Sequence, residues 1–165
     1  MRFLRVLKSD MIIECEKQND SGMHIASRLS LHNSSSSRAS CYGHNFKEYF
    51  REANAKLIVA VQVETSVAVS NIEAIAAVRG VDIFFVGHSD LSMDLGCFGD
   101  YSSGDMRASE LKVLSAARRF GKRAGMLLKA DMGIEEQMDK GYSFLALGTD
   151  IGCLKTAYNN LLGKA

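Results

Sequence analysis

The chain has 165 residues, of which 47% are apolar and 24% charged, and this composition predicts one globular domain with a buried core. The net charge of +1, without clustered lysine and arginine beside aromatic side chains, argues against nucleic acid as a partner. No segment approaches the length of a membrane span, and the start is too short and too charged for a signal peptide, so we expect a cytoplasmic protein. The scattered cysteines, which predict reduced and buried thiols, are Cys15, Cys41, Cys97 and Cys153.

The first 45 residues lack a sustained pattern. A short apolar start is followed by a polar segment and by a serine run at 34–37. This composition favours an irregular lead-in. Helical spacing begins with Phe46, Tyr49 and Phe50, which fall on one face of a predicted helix over 46–55.

From residue 57 onward, apolar strands alternate with amphipathic helices. Strands are predicted at 57–63, 81–86, 123–128 and 143–147. Helices are predicted at 66–78, 107–120, 134–140 and 151–162. Strands that are almost wholly apolar and separated by helices indicate a parallel sheet that is covered on its faces. We therefore predict an α/β fold of about four βα units.

Polar residues collect at the carboxyl ends of these strands, the edge where α/β sheets bind their ligands. Four groups share this placement: Gln62 with Glu64, and the segments 87–90, 129–131 and 148–150. Glu64 and Asp90 follow neighbouring strands, where two carboxylates could hold one hard divalent cation such as Mg²⁺ or Mn²⁺. The pattern alone leaves a second interpretation open. Glu64 would then be an acid at a helix N-terminus, and Ser89 or Asp90 would cap the turn over 91–95.

The residues beside the two acids are also open to two interpretations. Gly87 ends a strand, and glycine at that position also lets backbone N–H groups approach an anion closely. We interpret His88 as a loop histidine, with a ligand or a base as the alternative. Gln62 could bond a ligand or a neighbouring strand, and Asp150 is predicted to cap a helix. The glycine-rich segment 96–104 lacks the P-loop and dinucleotide motifs, so it supports nucleotide binding only weakly.

An ordered series of motifs extends across this region. It comprises Q-V-E-T at 62–65, G-V-D at 80–82, G-H-S-D-L-S at 87–92, L-G at 95–96, G-M-L at 125–127 and G-T-D at 148–150. In this series the chain resembles the HpcH/HpaI aldolase and citrate lyase β family. The motifs at 62–65 and 87–92 are similar to those of the aldolase branch. The resemblance covers about residues 36–165 and leaves 1–35 as a lead-in without a family match.

The resemblance implies a (β/α)8 barrel, usually oligomeric, that acts as a class II aldolase on 2-oxo acids. It implies that Glu64 and Asp90 ligate Mg²⁺ or Mn²⁺. It also implies that the turn from Gly87 through Ser89 to Asp90 offers backbone N–H groups to the pyruvate carboxylate, while Gln62 lines the same pocket. The metal would stabilise the pyruvate enolate that attacks, or leaves, an aldehyde.

The chain departs from the family in three respects. A complete barrel needs about 250 residues, and the resemblance covers only its second half. The family's ketone-polarising arginine and acid-base histidine have no counterpart in residues 1–35, so we assign no catalytic residue. His88 stands where proline is common. We therefore expect a half barrel that carries the metal pair and self-associates through its open edges, or alternatively a non-catalytic binding or assembly module.

Overall fold

A computed structural model of the chain describes residues 3–8, 42, 44–129 and 132–163, with residues 3–8 as backbone. Its five strands form one sheet in the order β1 to β5, and every neighbouring pair is parallel. The strands are β1 (Phe3–Lys8), β2 (Leu57–Val63), β3 (Ile83–Val86), β4 (Arg123–Leu127) and β5 (Phe144–Ala146). The predicted parallel α/β sheet is thus confirmed.

The helices follow the strands as the βα pattern requires. They are α1 (Phe46–Lys56), α2 (Ser66–Ser70), α3 (Ile72–Ala77), α4 (His88–Asp94), α5 (Gly104–Arg119), α6 (Ile134–Lys140) and α7 (Asp150–Leu161). Three of these helices have an N-cap hydroxyl. The side chains of Thr65, Ser103 and Thr149 accept hydrogen bonds from backbone N–H groups in the first turns of α2, α5 and α7, respectively. The four predicted βα units are therefore present.

Two details of the helices differ from the sequence prediction. The helix expected over 66–78 is divided into α2 and α3 at Asn71, whose backbone leaves helical geometry. The turn expected over 91–95 is instead α4, which begins earlier, at His88. Asp150 lies in the first turn of α7 and does not cap it, because the capping side chain is that of Thr149.

Strand β1 corrects the prediction of an irregular lead-in. It pairs in parallel with β2 from Phe3 opposite Leu57 to Lys8 opposite Gln62. A six-residue strand interrupted by Arg5 carries too little periodicity to be recognised alone, and its partner lies some fifty residues away. The remainder of the predicted lead-in, including the serine run, lies outside the described residues.

The core lies between one face of the sheet and the helices α3, α4 and α5. Side chains from β2 and β3 on this face are fully buried, among them Val61, Val63 and Phe84. Ile72 and Val113 pack against them from the helices. Such complete burial of apolar side chains is the main stabilising contribution to this layer.

The opposite face of the sheet is less covered. Gln62, Phe85, Gly125 and Phe144 occupy one row across the strands β2 to β5, because each is the register partner of the next. Gln62, Phe85 and Phe144 are only half-buried. The rings of Phe85 and Phe144 meet edge to face with centroids 6.2 Å apart. An added Cβ on Gly125 would lie 2.8 Å from the Phe144 carbonyl oxygen, so the row requires glycine there.

The cysteines were predicted to be reduced and buried. Cys97 is a free thiol that is only half-buried, Cys153 is also free, and Cys15 and Cys41 lie outside the described residues. Cys153 is exposed, which contradicts its predicted burial, because α7 buries none of its residues. In the described ranges, no helix combines the length and apolar character needed to cross a bilayer.

Candidate functional site at the carboxyl edge of the sheet

The carboxyl ends of β2 and β3 lie side by side. Val63 is the register partner of Val86, and the Gly87 N–H continues the ladder by donating to the Val63 carbonyl at 2.9 Å. Glu64 and the turn of residues 87–90, here called the Gly87 turn, therefore leave the sheet at adjacent points. This adjacency was the premise of the predicted metal pair.

The structure argues against the helix-terminal interpretation of Glu64. Thr65 is the N-cap of α2, so Glu64 precedes the helix and does not belong to its first turn. Its side chain is buried, with 8% of the residue exposed. A buried carboxylate is retained in a fold when it is paired or hydrogen-bonded.

Asp90 lies in the first turn of α4, but it does not cap that helix. The N-cap is Gly87, which has no side chain, and no side-chain cap bond forms there. The alternative in which Ser89 or Asp90 caps the turn is therefore wrong. Asp90 is exposed and benefits from the positive end of a short helix dipole.

Gln62 and Glu64 approach the Gly87 turn closely. A Cβ added to Gly87 would lie 3.1 Å from the Gln62 amide nitrogen and 3.2 Å from the Glu64 Cβ. A side chain at position 87 would crowd Gln62 and Glu64, so glycine favours this close approach, while its backbone φ of −87° is an ordinary value. The Gly87 N–H is already used by the sheet, which corrects its expected role toward an anion. The amides of residues 88–90 begin α4, where helix geometry leaves N–H groups without intrahelical acceptors.

The Tyr101 side chain reaches Ser89 from the loop before α5, and the Lys129 side chain in turn contacts Tyr101. The Tyr101 hydroxyl lies 3.5 Å from the Ser89 Oγ, and the Lys129 ammonium lies 3.4 Å from the centroid of the Tyr101 ring. The hydrogen bonds with Lys129 and Ser89 lower the pKa of Tyr101. Lys129 was expected at this edge, whereas Tyr101 was missed within the glycine-rich loop. Asp131 lies outside the described residues.

His88 is not the loop histidine that the sequence predicted. It is the first residue of α4 and is buried, with 8% exposed. Its Nε2 lies 2.5 Å from a Glu110 carboxylate oxygen, and its Nδ1 lies 3.3 Å from the Val86 carbonyl oxygen. The Tyr142 hydroxyl donates to the same Glu110 oxygen at 3.1 Å. We call His88, Glu110 and Tyr142 the buried polar cluster.

Glu110 was missed because nothing near it in the sequence marks it as functional. The available signal was an acid on the apolar face of α5, at the spacing of Met106 and Val113. Burial raises the pKa of Glu110, but the hydrogen bonds and charge of His88, with smaller contributions from Tyr142 and Lys140, bring the net shift below the ordinary value. Burial and the neighbouring Glu110 charge raise the pKa of Tyr142.

The lowered pKa of Glu110 predicts a pH-dependent contribution to stability. Because the folded state favours the carboxylate, the contribution is complete above the ordinary glutamate pKa and is lost as the pH falls through the lowered value. Glu110→Gln should reduce the free energy of unfolding by about 1–3 kcal/mol at pH 7. Urea denaturation at pH 7 and at a series of lower pH values down to pH 3.5 measures the free energy of unfolding of both proteins. The difference between wild type and Glu110→Gln should shrink as the pH falls. A difference in unfolding free energy that stays constant with pH would contradict the prediction.

The donor chemistry of Glu64 and Asp90 fits a hard divalent cation. Two carboxylates are oxygen donors, and Mg²⁺ is commonly held by one or two of them together with substrate and water oxygens. Over the described ranges, no group of three or more His, Cys, Asp or Glu side chains is placed to hold a metal ion. A cation held by Glu64 and Asp90 would therefore need substrate and water oxygens to complete its coordination.

The architecture is that of α/β barrel-type enzymes, with βα units and polar residues at the carboxyl edge of a parallel sheet. The model of the HpcH/HpaI aldolase/citrate lyase family matches residues 30–157, more than half of the sequence, and the chain belongs to this family.

Individual relatives agree with this assignment. The 5-keto-4-deoxy-D-glucarate aldolase of Klebsiella pneumoniae is 34% identical over 114 residues, which are 69% of this chain and 44% of the relative. The structure of an HpcH/HpaI family protein from Burkholderia cenocepacia superposes with a TM-score of 0.67 at 32% identity, over 77% of this chain and 49% of that one. The structure of an HpcH/HpaI aldolase from Desulfitobacterium hafniense superposes with a TM-score of 0.63 at 31% identity, over 72% of this chain and 46% of that one.

The extent of these matches defines what part of the family fold is present. The chain spans about half the length of the curated relatives it matches. Together with the open five-stranded sheet, the superpositions confirm the predicted partial (β/α)8 barrel.

Proposed function

We propose that the chain carries the metal and pyruvate site of an aldolase-type carbon–carbon lyase that acts on a 2-oxo acid. The observation that supports this most is the convergence of Glu64, Gln62 and the Gly87 turn at the paired ends of β2 and β3. These are the residues that the family resemblance implies for metal and substrate. Mg²⁺ or Mn²⁺ bound there would supply a Lewis acid that lowers the cost of negative charge on the substrate ketone oxygen.

The protein groups would bind and orient the substrate. The amides of residues 88–90 are available to a carboxylate, and hydrogen bonds from backbone N–H groups to an anion are charge-assisted. The Gln62 amide nitrogen, beside Gly87, can donate to a second substrate oxygen. Glu64 and Asp90 would hold the cation between them, and an aldehyde would be the other reactant.

Proton transfer is the part of the reaction that the described residues do not supply in the family manner. We propose that the ketone-polarising arginine and the acid-base histidine come from outside residues 36–165. General acid-base groups commonly contribute about 10²–10⁴-fold to a rate. Retro-aldol turnover by this chain alone should therefore be slower than that of a complete family enzyme by about that factor.

Calorimetry and a retro-aldol assay together test the proposal. Mn²⁺ should bind the full chain, and oxalate or pyruvate should bind more tightly in its presence. Binding with slow turnover supports the lyase. Binding without any turnover supports the alternative of a non-catalytic metal and oxo-acid module. Failure to bind Mn²⁺ would contradict both.

We also propose that the chain forms a homo-oligomer. Helix α7 buries none of its residues, and four large apolar side chains form one stripe along it. This stripe, here called the α7 face, consists of Ile151, Leu154, Tyr158 and Leu161, with exposures of 76%, 60%, 59% and 83%. A second copy of the chain is the proposed occupant, since exposed apolar patches of this kind mark association surfaces.

A cytoplasmic location stays a prediction, to which the free thiols Cys97 and Cys153 conform.

A further inference from the structure

The buried polar cluster lies directly behind the candidate site. His88 belongs to the Gly87 turn, whereas Glu110 comes from the middle of α5 and Tyr142 from the connection between α6 and β5. The exposed fractions of His88 and Tyr142 are 8% and 2%. Three separate parts of the fold are therefore joined by polar contacts beneath the turn that carries Asp90.

The His88 ring lies between two acceptor atoms. The Glu110 carboxylate oxygen is next to its Nε2, and the Val86 carbonyl oxygen is next to its Nδ1. Buried pairs of this kind contribute little to stability compared with an apolar pair of equal volume, so stability alone does not explain the cluster.

The position of His88 suggests what the cluster contributes. In the resemblance described above, His88 stands where proline is common, and it is the first residue of α4. Proline at the first position of a helix fixes φ and so preorganises the turn. Histidine has no such ring restraint on its backbone. An anchored side chain can supply the missing restraint, because the ring is tied to α5 on one side and to β3 on the other.

We propose that Glu110 is a positioning residue that acts through His88 to hold the Gly87 turn, and with it Asp90, in the geometry required for the metal and the 2-oxo acid. This inference rests on the proposed function for its consequence in binding. Its structural content, the restraint of the turn by the Glu110–His88 contact, does not depend on a metal.

A double-mutant cycle with Glu110→Leu and His88→Pro tests the proposal. Glu110→Leu removes the anchor and should weaken Mn²⁺ binding by about 10–100-fold, the range typical of groups that orient metal ligands. His88→Pro alone should also weaken binding, because it removes the ring contact from the Glu110 carboxylate and leaves only the Tyr142 hydroxyl beside it. The double variant restores the proline and removes the acid, so its Mn²⁺ affinity should return to within about threefold of wild type.

Hydrogen exchange without metal separates this inference from the proposed function. The Gly87 and Leu91 amides, which donate to Val63 and Gly87, should exchange about tenfold faster in Glu110→Leu and recover in the double variant. The Arg123 amide, which donates to Asp82 at the other end of the sheet, is the reference and should not change. If wild type fails to bind Mn²⁺, the proposed function is wrong, and this exchange pattern still decides the inference.

Two results would overturn the inference. The first is equal exchange at Gly87 and Leu91 in wild type and in Glu110→Leu. The second is faster exchange at all three amides without recovery in the double variant, which would show a merely structural role. Should Glu110→Leu fail to fold, Glu110→Gln keeps the side-chain volume and removes the charge. Its two turn amides should then exchange faster than wild type while Arg123 remains unchanged, and the absence of that difference would overturn the inference equally.

Discussion

Replacing Glu64 by Gln together with Asp90 by Asn is expected to abolish Mn²⁺ binding to this chain. Both substitutions preserve side-chain shape and remove the negative charge that a hard cation requires. Mutation of groups that only orient metal ligands lowers metal affinity by about 10–100-fold. Removal of both proposed ligands should therefore lower the Mn²⁺ affinity by more than about 100-fold. Isothermal titration with Mn²⁺, and with oxalate in its presence, measures the effect. The oxalate signal should disappear with the metal.

The matched control for this experiment changes two acids elsewhere. Glu135→Gln with Asp139→Asn alters two exposed carboxylates on α6 and removes the same formal charge. This control should bind Mn²⁺ as wild type does. If both double variants weaken binding equally, the cation responds to net charge rather than to a site, and the assignment of Glu64 and Asp90 fails. Thermal melts of all three proteins show whether the folded state is retained.

A second large effect is expected from the α7 face. Leu154→Glu with Tyr158→Glu places two charges in the middle of the apolar stripe, where a second copy would have to desolvate them. Light scattering at micromolar concentration should show wild type as an oligomer and the variant as a monomer of 18.1 kDa. Within one chain α7 buries none of these side chains, so the substitutions should not destabilise the monomer itself. The unfolding temperature should fall only by the amount that oligomerisation contributes.

Helix α7 also offers its own control. Thr156 and Asn160 are exposed on the side of the helix away from the stripe, and Thr156→Glu with Asn160→Glu adds the same charge to the same element. This variant should remain oligomeric. A wild-type chain that is monodisperse and monomeric would contradict the proposed association outright. Dissociation of both variants would instead indicate repulsion between like-charged chains.

The parts of the fold that the sequence predicted are those with local signals. Strand β2 is a run of β-branched and apolar residues, and α5 has the apolar spacing of a long helix, so each could be recognised within its own window. Strand β1 could not, because its short segment becomes a strand only through pairing with Leu57–Val63, far along the chain. Helix α4 was reduced to a turn because its start has a glycine in place of a capping side chain.

The site divides in the same way. Glu64 and Asp90 could be named because each follows a strand, and strand ends in a parallel sheet meet at one edge. The contact between His88 and Glu110 joins residues 22 apart and depends on how α5 packs on α4, which no pattern within either segment encodes. Histidine before an acid in a loop has an ordinary surface interpretation, and only the burial of His88 overturned it.

The half-covered row on the far face of the sheet has a calorimetric consequence. Phe85 and Phe144 keep part of their rings in water in the folded chain, so unfolding exposes less new apolar surface than the length suggests. Exposure of apolar surface accounts for the heat capacity of unfolding, which is about 12–15 cal/mol/K per residue in ordinary domains. Each of these two rings therefore adds less to the heat capacity of unfolding than a fully buried ring would. A polypeptide that covers the row would increase their contribution.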